Sequence, residues 1–234
     1  MKIAIIPARG GSKRIPRKNI RLFGGAPIIT YSITAALSSE LFDRVIVSTD
    51  DSEIAEVSRS AGAEAPFVRP RELSDDFVGT TEVVKHAIEW VRANGASVDS
   101  VCCIYATAPF VNPYYLNKGL ETLISSGSLY AFSVTSFSFP IQRAIRVSPH
   151  GGLQPFYPEY TNSRSQDLEP SFHDAAQFYW GRAHAFVEEL PIYAPHSSPV
   201  YLPRWTVQDI DTEEDWRRAE MMFEVAKLLE RLPQ

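Results

Sequence analysis

Cysteine is scarce. Only Cys102 and Cys103 occur in 234 residues, side by side inside an apolar run. On a strand, neighbouring side chains point to opposite faces, so this pair does not easily bridge. Two thiols also supply no zinc-binding spacing. The expectation is buried free thiols in a reducing, cytoplasmic setting. Long apolar runs are missing: none approaches the ~18 residues of a membrane-spanning helix. No signal-peptide pattern precedes the first apolar segment at Lys2, so none is expected. Excess positive charge is absent as well. A net charge of −5 and a pI near 5.6 argue against nucleic acid as the main partner. The glycine-bearing segment near the N-terminus is neither Gly-x-x-x-x-Gly-Lys-Ser/Thr nor Gly-x-Gly-x-x-Gly. That removes the P-loop and dinucleotide-binding readings. What remains, at 44% hydrophobic and 22% charged, suits one α/β domain with an elaboration.

The cations that do occur are unevenly placed. Six of 23 Lys and Arg residues (Arg9, Lys13, Arg14, Arg17, Lys18, Arg21) fall between positions 9 and 21. They directly follow a short apolar strand, Ile3 to Ile6, and they surround Gly10 and Gly11. Glycine lets backbone N–H groups approach anion oxygens, and basic side chains neutralise them. An acidic chain that gathers cations on one such loop is expected to bind a phosphate there. The competing reading is a solvated basic turn.

Strands alternate with helices over the first 136 residues, the pattern of βαβ units and a parallel sheet. Strands are expected at Lys2–Ile6, Arg44–Thr49, Ser100–Tyr105 and Leu129–Thr135. All are near-continuous apolar runs, as in strands covered on both faces. Pro27 is expected to open a helix reaching Ser38, and Asp50 or Asp51 to cap the next, which Gly62 ends. Asn112-Pro113 starts another, ending at Gly127. From 137 to 172 the sequence is rich in Pro, Ser, Gln, Arg and Tyr, without a sustained period. Ordering each residue there costs ~1–2 kcal/mol of backbone entropy. Such a segment is partly mobile or packs against a second subunit. Strand patterns return at His173–Trp180 and Val200–Leu202. Thr212 with Asp215 resembles a capping box. It opens a helix whose Trp216, Ala219, Met222, Phe223, Ala226 and Leu229 keep core spacing.

Just before that helix stands Asp209-Ile210-Asp211. In an extended segment the two carboxylates share a face while Ile210 points to the core. Paired carboxylates make a hard-oxygen site of the kind Mg²⁺ takes, with water and phosphate completing it. The alternative is that Asp211 merely supports the helix start.

The stretch Ile6-Pro-Ala-Arg-Gly-Gly-Ser-Lys-Arg-Ile-Pro-Arg-Lys-Asn19 resembles the signature loop of the CMP-sugar synthetases. These cytidylyltransferases activate sialic acid, its bacterial relatives and KDO. Asp209-Ile210-Asp211 matches the family's Mg²⁺-holding motif, and Arg69-Pro-Arg-Glu-Leu73 resembles its Arg-Pro-x-x-Leu segment. The resemblance implies a Rossmann-like nucleotidyltransferase α/β fold with a mostly parallel sheet flanked by helices. The core would comprise 1–136 and 173–234, with 137–172 inserted as a dimerisation arm. It further implies CTP contacts from Ala8, Arg9, Gly10, Gly11, Ser12, Lys18, Asn19 and Arg69. Lys18, Arg9 and Asp211 would be catalytic, and Asp209 and Asp211 would hold Mg²⁺. Arg69 read without the family is a surface-loop arginine. Asp75, Thr80 and Thr81 are candidates to line the same pocket, with capping of the following helix the favoured reading of Thr80 and Thr81.

Two departures bear on the sugar. Tyr105-Ala-Thr-Ala-Pro109 stands where sialic acid enzymes have Gln-Pro-Thr-Ser-Pro, whose Gln contacts the sugar. Phe172-His-Asp-Ala-Ala-Gln-Phe-Tyr-Trp180 replaces an Arg-Pro-Asn-Gly-like stretch. With Asn162–Leu168 and Phe137–Arg143, this version looks like the pseudaminic acid cytidylyltransferases. The expected substrates are therefore CTP and an acidic nine-carbon sugar, with Tyr105, His173, Gln177 and Tyr179 near the sugar. Gln177 and Tyr179 would project one way from their strand. For His173 and Tyr179 the alternative is ordinary packing. CMP-activation of legionaminic acid, sialic acid or KDO, and a CTP-binding module without catalysis, are the rival functions.

Overall fold

The computed structural model of the chain describes residues 1–75 and 78–230, the last two of these by backbone alone. In chain order the elements are β1 (Lys2–Pro7), β2 (Leu22–Phe23), β3 (Ala26–Pro27), α1 (Ile29–Ser38), β4 (Arg44–Ser48) and α2 (Ser52–Ser60). Then come α3 (Thr80–Ala93), β5 (Ser100–Ile104), α4 (Pro113–Ser125) and β6 (Tyr130–Ser136). The chain closes with β7 (Ile145–Val147), β8 (Leu153–Pro155), β9 (Phe172–Arg182), α5 (Ala183–Val187), β10 (Ser197–Tyr201) and α6 (Glu213–Glu230).

Six strands form one sheet in the order β10-β6-β9-β5-β1-β4. β1 runs parallel to β4 and β5, and β10 parallel to β6. β9 is antiparallel to both its neighbours. The apolar runs that predicted the strands are buried on both faces. One face packs on α1, α2 and α4 through Ile33, Ile54, Leu116 and Leu123. The other packs on α3 and α5 through Val84, Ile88, Val91 and Phe186. Cys102 belongs to the first core and Cys103 to the second, both fully buried and free. A third cluster joins Ile15, Phe23 and Ile28 to Ile210, Trp216 and Ala219. It ties the loop after β1 to the start of α6, so opposite ends of the chain meet at the strands' carboxyl ends. In open α/β sheets that rim is where ligands bind. Among the described residues no helix is long and apolar enough to cross a membrane.

Several local expectations change. The first helix begins at Ile29, not Pro27, because Pro27 pairs with Leu22 in a small hairpin. Gly24 and Gly25, with φ of 56° and 101°, turn that hairpin. Asp51 is the residue that caps α2, accepting from the Glu53 and Ile54 N–H groups. Thr212 and Asp215 form the expected reciprocal cap at α6. Trp216 and Ala219 are core residues. Met222 and Ala226 instead line a surface groove, and the Leu229 side chain lies outside the described residues. Residues 137–172 are not without regular structure: β7 and β8 pair as an antiparallel hairpin. Their apolar side chains face outward, with Phe139 82%, Val147 69% and Leu153 68% exposed.

Candidate active site

The loop that follows β1 is folded by its own polar groups. The Ala8 N–H donates to the Ser48 carbonyl at 2.9 Å, continuing the β1–β4 pairing by one residue. Arg17 adopts a left-handed conformation, φ 55° and ψ 29°, rare for a residue with a Cβ and costing ~1–3 kcal/mol. That bend starts a short 3-10 turn over Lys18–Ile20. Asn19, nearly buried, donates from Nδ2 to the Arg9 carbonyl at 2.9 Å and closes the loop on itself. The result is a cleft of about 400 Å³. Arg9, Ser12, Lys18, Asn19, Arg69 and Tyr105 are among its lining residues.

Not every predicted contact faces this cleft. Ala8 is buried in the β1 continuation. The Gly10 N–H is already donated to Asp50 Oδ1 at 2.9 Å, and Gly10 is not among the residues lining the cleft. A Cβ on Gly10 would come within 2.7 Å of Asp51 Oδ2, so glycine is needed there for close packing against α2. Gly11 sits exposed at the crest, in open space. The loop therefore presents side chains to the cleft more than glycine amides.

Arg69 is no surface arginine: it is 4% exposed. Its Nε donates to Ser74 Oγ at 3.2 Å, while Nη2 stands 3.7 Å from Asp50 Oδ1 without a hydrogen bond. Burial pulls the guanidinium below its ordinary value. A buried cation with an unsatisfied donor on a cleft wall is suited to a ligand acceptor. Thr80 also lines the cleft, as the first residue of α3, and the Asp75 carbonyl accepts from Arg9 Nη1 at 2.5 Å.

The acid pair lies alongside. Ile210 is fully buried against the third core cluster, which leaves Asp209 and Asp211 facing one cavity of about 430 Å³. Asp174, His173 and Arg204 share its wall. Asp215 and Thr212 already satisfy the start of α6, with Asp215 Oδ2 accepting from the Thr212 and Asp211 N–H groups at 2.8 and 3.2 Å. The Asp211 carboxylate is thus not required as a cap. Instead it accepts from Arg14 Nη2 at 2.9 Å and lies 3.5 Å from Lys18 Nζ. Lys18 Nζ also donates to the Ile210 carbonyl at 2.6 Å. The cleft-lining Lys18 and the acid pair therefore meet in one place. Crowding by protein, then the charge of Asp211, raise the Asp209 carboxyl above the usual carboxylate range. A cation would relieve that repulsion. Among the described residues, no three His, Cys, Asp or Glu side chains gather into a metal cage.

The four residues expected near the sugar divide. Tyr105 lines the first cleft, and His173 lines the second with its ring edge-on to Phe137 at 4.8 Å. Tyr179 is buried, and its hydroxyl donates to Asp174 and stands 3.4 Å from the Tyr105 hydroxyl. Gln177 is only 3% exposed, and its Nε2 donates to the Thr206 carbonyl at 2.6 Å. It braces the chain leading to Asp209, and neither Gln177 nor Tyr179 is among the lining residues of the two cavities. On its β6 side β9 slips register opposite Phe132 and Val134, and Ala176 takes φ 51°. Asp174 went unnoticed in the sequence, as a lone acid inside a strand carries no signal. Its carboxylate gathers the Tyr179 hydroxyl, the Tyr193 hydroxyl at 3.1 Å and the Ala176 N–H at 2.8 Å. Burial, then the Asp174 charge, push the Tyr193 phenol up to about 12.

Residues 3–143 match the family model described as cytidylyltransferase. The chain belongs to that family. A pseudaminic acid cytidylyltransferase of Campylobacter jejuni subsp. jejuni serotype O:2 is 48% identical to this cytidylyltransferase over 223 residues, covering 95% of this chain and 96% of that one. A CMP-N,N'-diacetyllegionaminic acid synthase of Legionella pneumophila is 31% identical over 233 residues, covering 95% and 96%. A solved CMP:2-keto-3-deoxy-manno-octonic acid synthetase complexed with CTP shares the fold, with a TM-score of 0.69 at 17% identity, covering 96% of this cytidylyltransferase and 99% of that chain.

Proposed function

We propose that this cytidylyltransferase transfers the cytidylyl group of CTP to the anomeric hydroxyl of pseudaminic acid, giving CMP-pseudaminic acid and pyrophosphate. The observation that carries the reading is the meeting of Lys18 Nζ and Asp211 Oδ1, 3.5 Å apart, from opposite ends of the chain. One anion-facing cleft and one acid pair, side by side, suit a triphosphate at its α-phosphorus. The relatives favour the sugar: identity is 48% to the pseudaminic acid enzyme and 31% to the legionaminic acid one.

In this reading the triphosphate lies along Arg9, Ser12, Lys18 and Asn19, with the nucleoside end toward Arg69. The sugar lies toward Tyr105, His173 and the Asp174-bound Tyr179. Its anomeric oxygen forms a bond to the α-phosphorus as it loses its proton, and the bond to pyrophosphate breaks in line. Lys18 and Arg9 meet the charge spreading over the phosphoryl oxygens, so positioning and electrostatics supply most of the acceleration. Asp209 and Asp211 would hold Mg²⁺. Two carboxylates on one wall, one of them raised by burial and then by the other's charge, fit a cation that takes one or two carboxylates and fills its shell with water and phosphate. When bound, that ion supplies neutralisation of phosphate charge.

Residues 1–136 and 173–234 form the catalytic core in this proposal, and 137–172 is the arm of a homodimer. The outward-facing Phe139, Val147 and Leu153 support it, since an apolar surface of this kind marks an interaction site. The buried free thiols suit a cytoplasmic enzyme.

Pyrophosphate release, with CTP and Mg²⁺ against pseudaminic acid, legionaminic acid, sialic acid and KDO, tests the reading. Release with pseudaminic acid alone is expected. Release with another sugar would keep the chemistry and overturn the substrate. CTP binding without release from any sugar would favour the non-catalytic module.

A further inference from the structure

Both ends of the loop on the cleft are fastened to one point in the fold, the two acids that follow β4. At its start, the Gly10 N–H donates to Asp50 Oδ1 at 2.9 Å. At its end, Arg17 makes a two-pronged contact with Asp51, at 2.5 Å to Oδ2 and 3.1 Å to Oδ1, and a third at 2.5 Å to Glu53. Asp51 is itself immobilised: its Oδ1 accepts from the Glu53 and Ile54 N–H groups, both at 3.0 Å, as the cap of α2. We propose that Asp50 and Asp51, acting through Gly10 and Arg17, are positioning residues that hold the Arg9–Lys18 loop in its nucleotide-binding shape before nucleotide arrives.

Three features point the same way. Six cations within positions 9–21 repel one another when no phosphate is bound; Asp211 answers Arg14 and Lys18 and Glu213 answers Arg21, while Arg17 is answered by Asp51 and Glu53. Arg17 keeps a left-handed backbone despite its Cβ, which persists only where surrounding contacts over-determine it. The bend at Arg17 also sets the direction of Lys18, whose Nζ reaches the Ile210 carbonyl, and of Asn19, which closes on Arg9. Arg17 is thereby a fastening and not a phosphate ligand, although its sequence position groups it with the ligands. Asp51 is held below the ordinary carboxylate range, first by its hydrogen bond from Arg17. The competing view is an ordinary helix cap beside a surface ion pair, and such pairs contribute little on their own.

Two variants separate these views. Asp51→Asn keeps a good N-cap and nearly the same shape but drops the charge. Arg17→Gly suits the left-handed backbone and drops the guanidinium. Hydrogen–deuterium exchange is read first on the free protein. The fastening predicts faster exchange in peptides covering residues 9–18 in both variants, with the first turn of α2 unchanged. Unchanged loop exchange, or loosening confined to α2, would overturn it. CTP affinity by calorimetry is the second reading, since the inference rests on CTP binding here. Each variant should weaken CTP by about tenfold, through lost pre-organisation, with a melting temperature near wild type and a double variant no worse than the weaker single. Losses that add, or that merely follow melting temperature, would contradict the fastening. A wild-type protein that ignores CTP would strike the CTP assignment alone, and the exchange result would still decide the fastening.

Discussion

Lys18, the proposed phosphate contact, is held by two contacts that sequence alone does not reveal, the Ile210 carbonyl and Asp211. Lys18→Ala removes a charge-assisted contact of ~1.5–3 kcal/mol, so turnover should fall ~10–200-fold in a steady-state assay. Turnover equal to wild type would remove Lys18 from the phosphate site. Asp211→Ala should abolish cation-dependent turnover yet keep the circular dichroism spectrum, because Asp215 and Thr212 cap α6 without it. Asp209 adds a pH test. Its carboxyl is raised by crowding and by Asp211, so the folded protein holds that proton to higher pH than the unfolded chain. Stability from this group is therefore greatest at acid pH and is lost as pH rises through the raised value. Asp209→Asn should raise the melting temperature at neutral pH while turnover disappears. A lower melting temperature would show that the charge is not strained. Asp51 has the opposite sign: Arg17 lowers its carboxyl, so its contribution is present at neutral pH and is lost as pH falls through that depressed value. At this scale the gathering of Arg9, Ser12, Lys18 and Asn19 on one cleft, and of Asp209 and Asp211 on the next, was legible as residue types in a pattern. Gln177 lines neither cavity because its amide is spent on the Thr206 carbonyl, and Asp174 was missed because a lone acid inside a strand carries no signal.

Among the elements, the β2–β3 hairpin does more than connect. Gly24 turns it at φ 56°, and a Cβ there would meet Phe223 of α6 at 2.3 Å. The same hairpin supplies Phe23 to the cluster holding Ile210 and Trp216. Arg21 lies over the Trp216 ring at 4.4 Å and reaches Glu213 at 2.5 Å. Gly24→Ala should therefore cost about 1–3 kcal/mol in denaturant unfolding, from overpacking and strain. It should also lower turnover by shifting α6 and the acids before it. Undiminished stability would mean that α6 is not anchored there. Helix starts were readable wherever a side chain caps them, as at Asp51, Asn112 and Thr212. The start of α1 was not, since Pro27 suits a first helical turn and a strand end alike.

The whole molecule follows from continuous apolar strands separated by capped helices, and that much of the fold was legible. The antiparallel entry of β9 between β5 and β6 was not. It depends on the path taken by residues 137–172, whose composition predicts neither a hairpin nor a direction. Light scattering on the eluting protein should return the mass of a dimer, and substituting Phe139 and Leu153 by polar residues should return a monomer. A wild-type monomer would leave the exposed arm without its proposed role. The central claim is that a cationic loop from one end of the chain and an acid pair from the other make a single cytidylyl-transfer site. CTP labelled at the α-phosphate, incubated with pseudaminic acid and Mg²⁺, tests it most directly. Label should appear in the CMP-sugar with wild type and remain in CTP with Asp211→Ala. Label that stays in CTP with wild type, or that moves equally well without Asp211, would contradict the account.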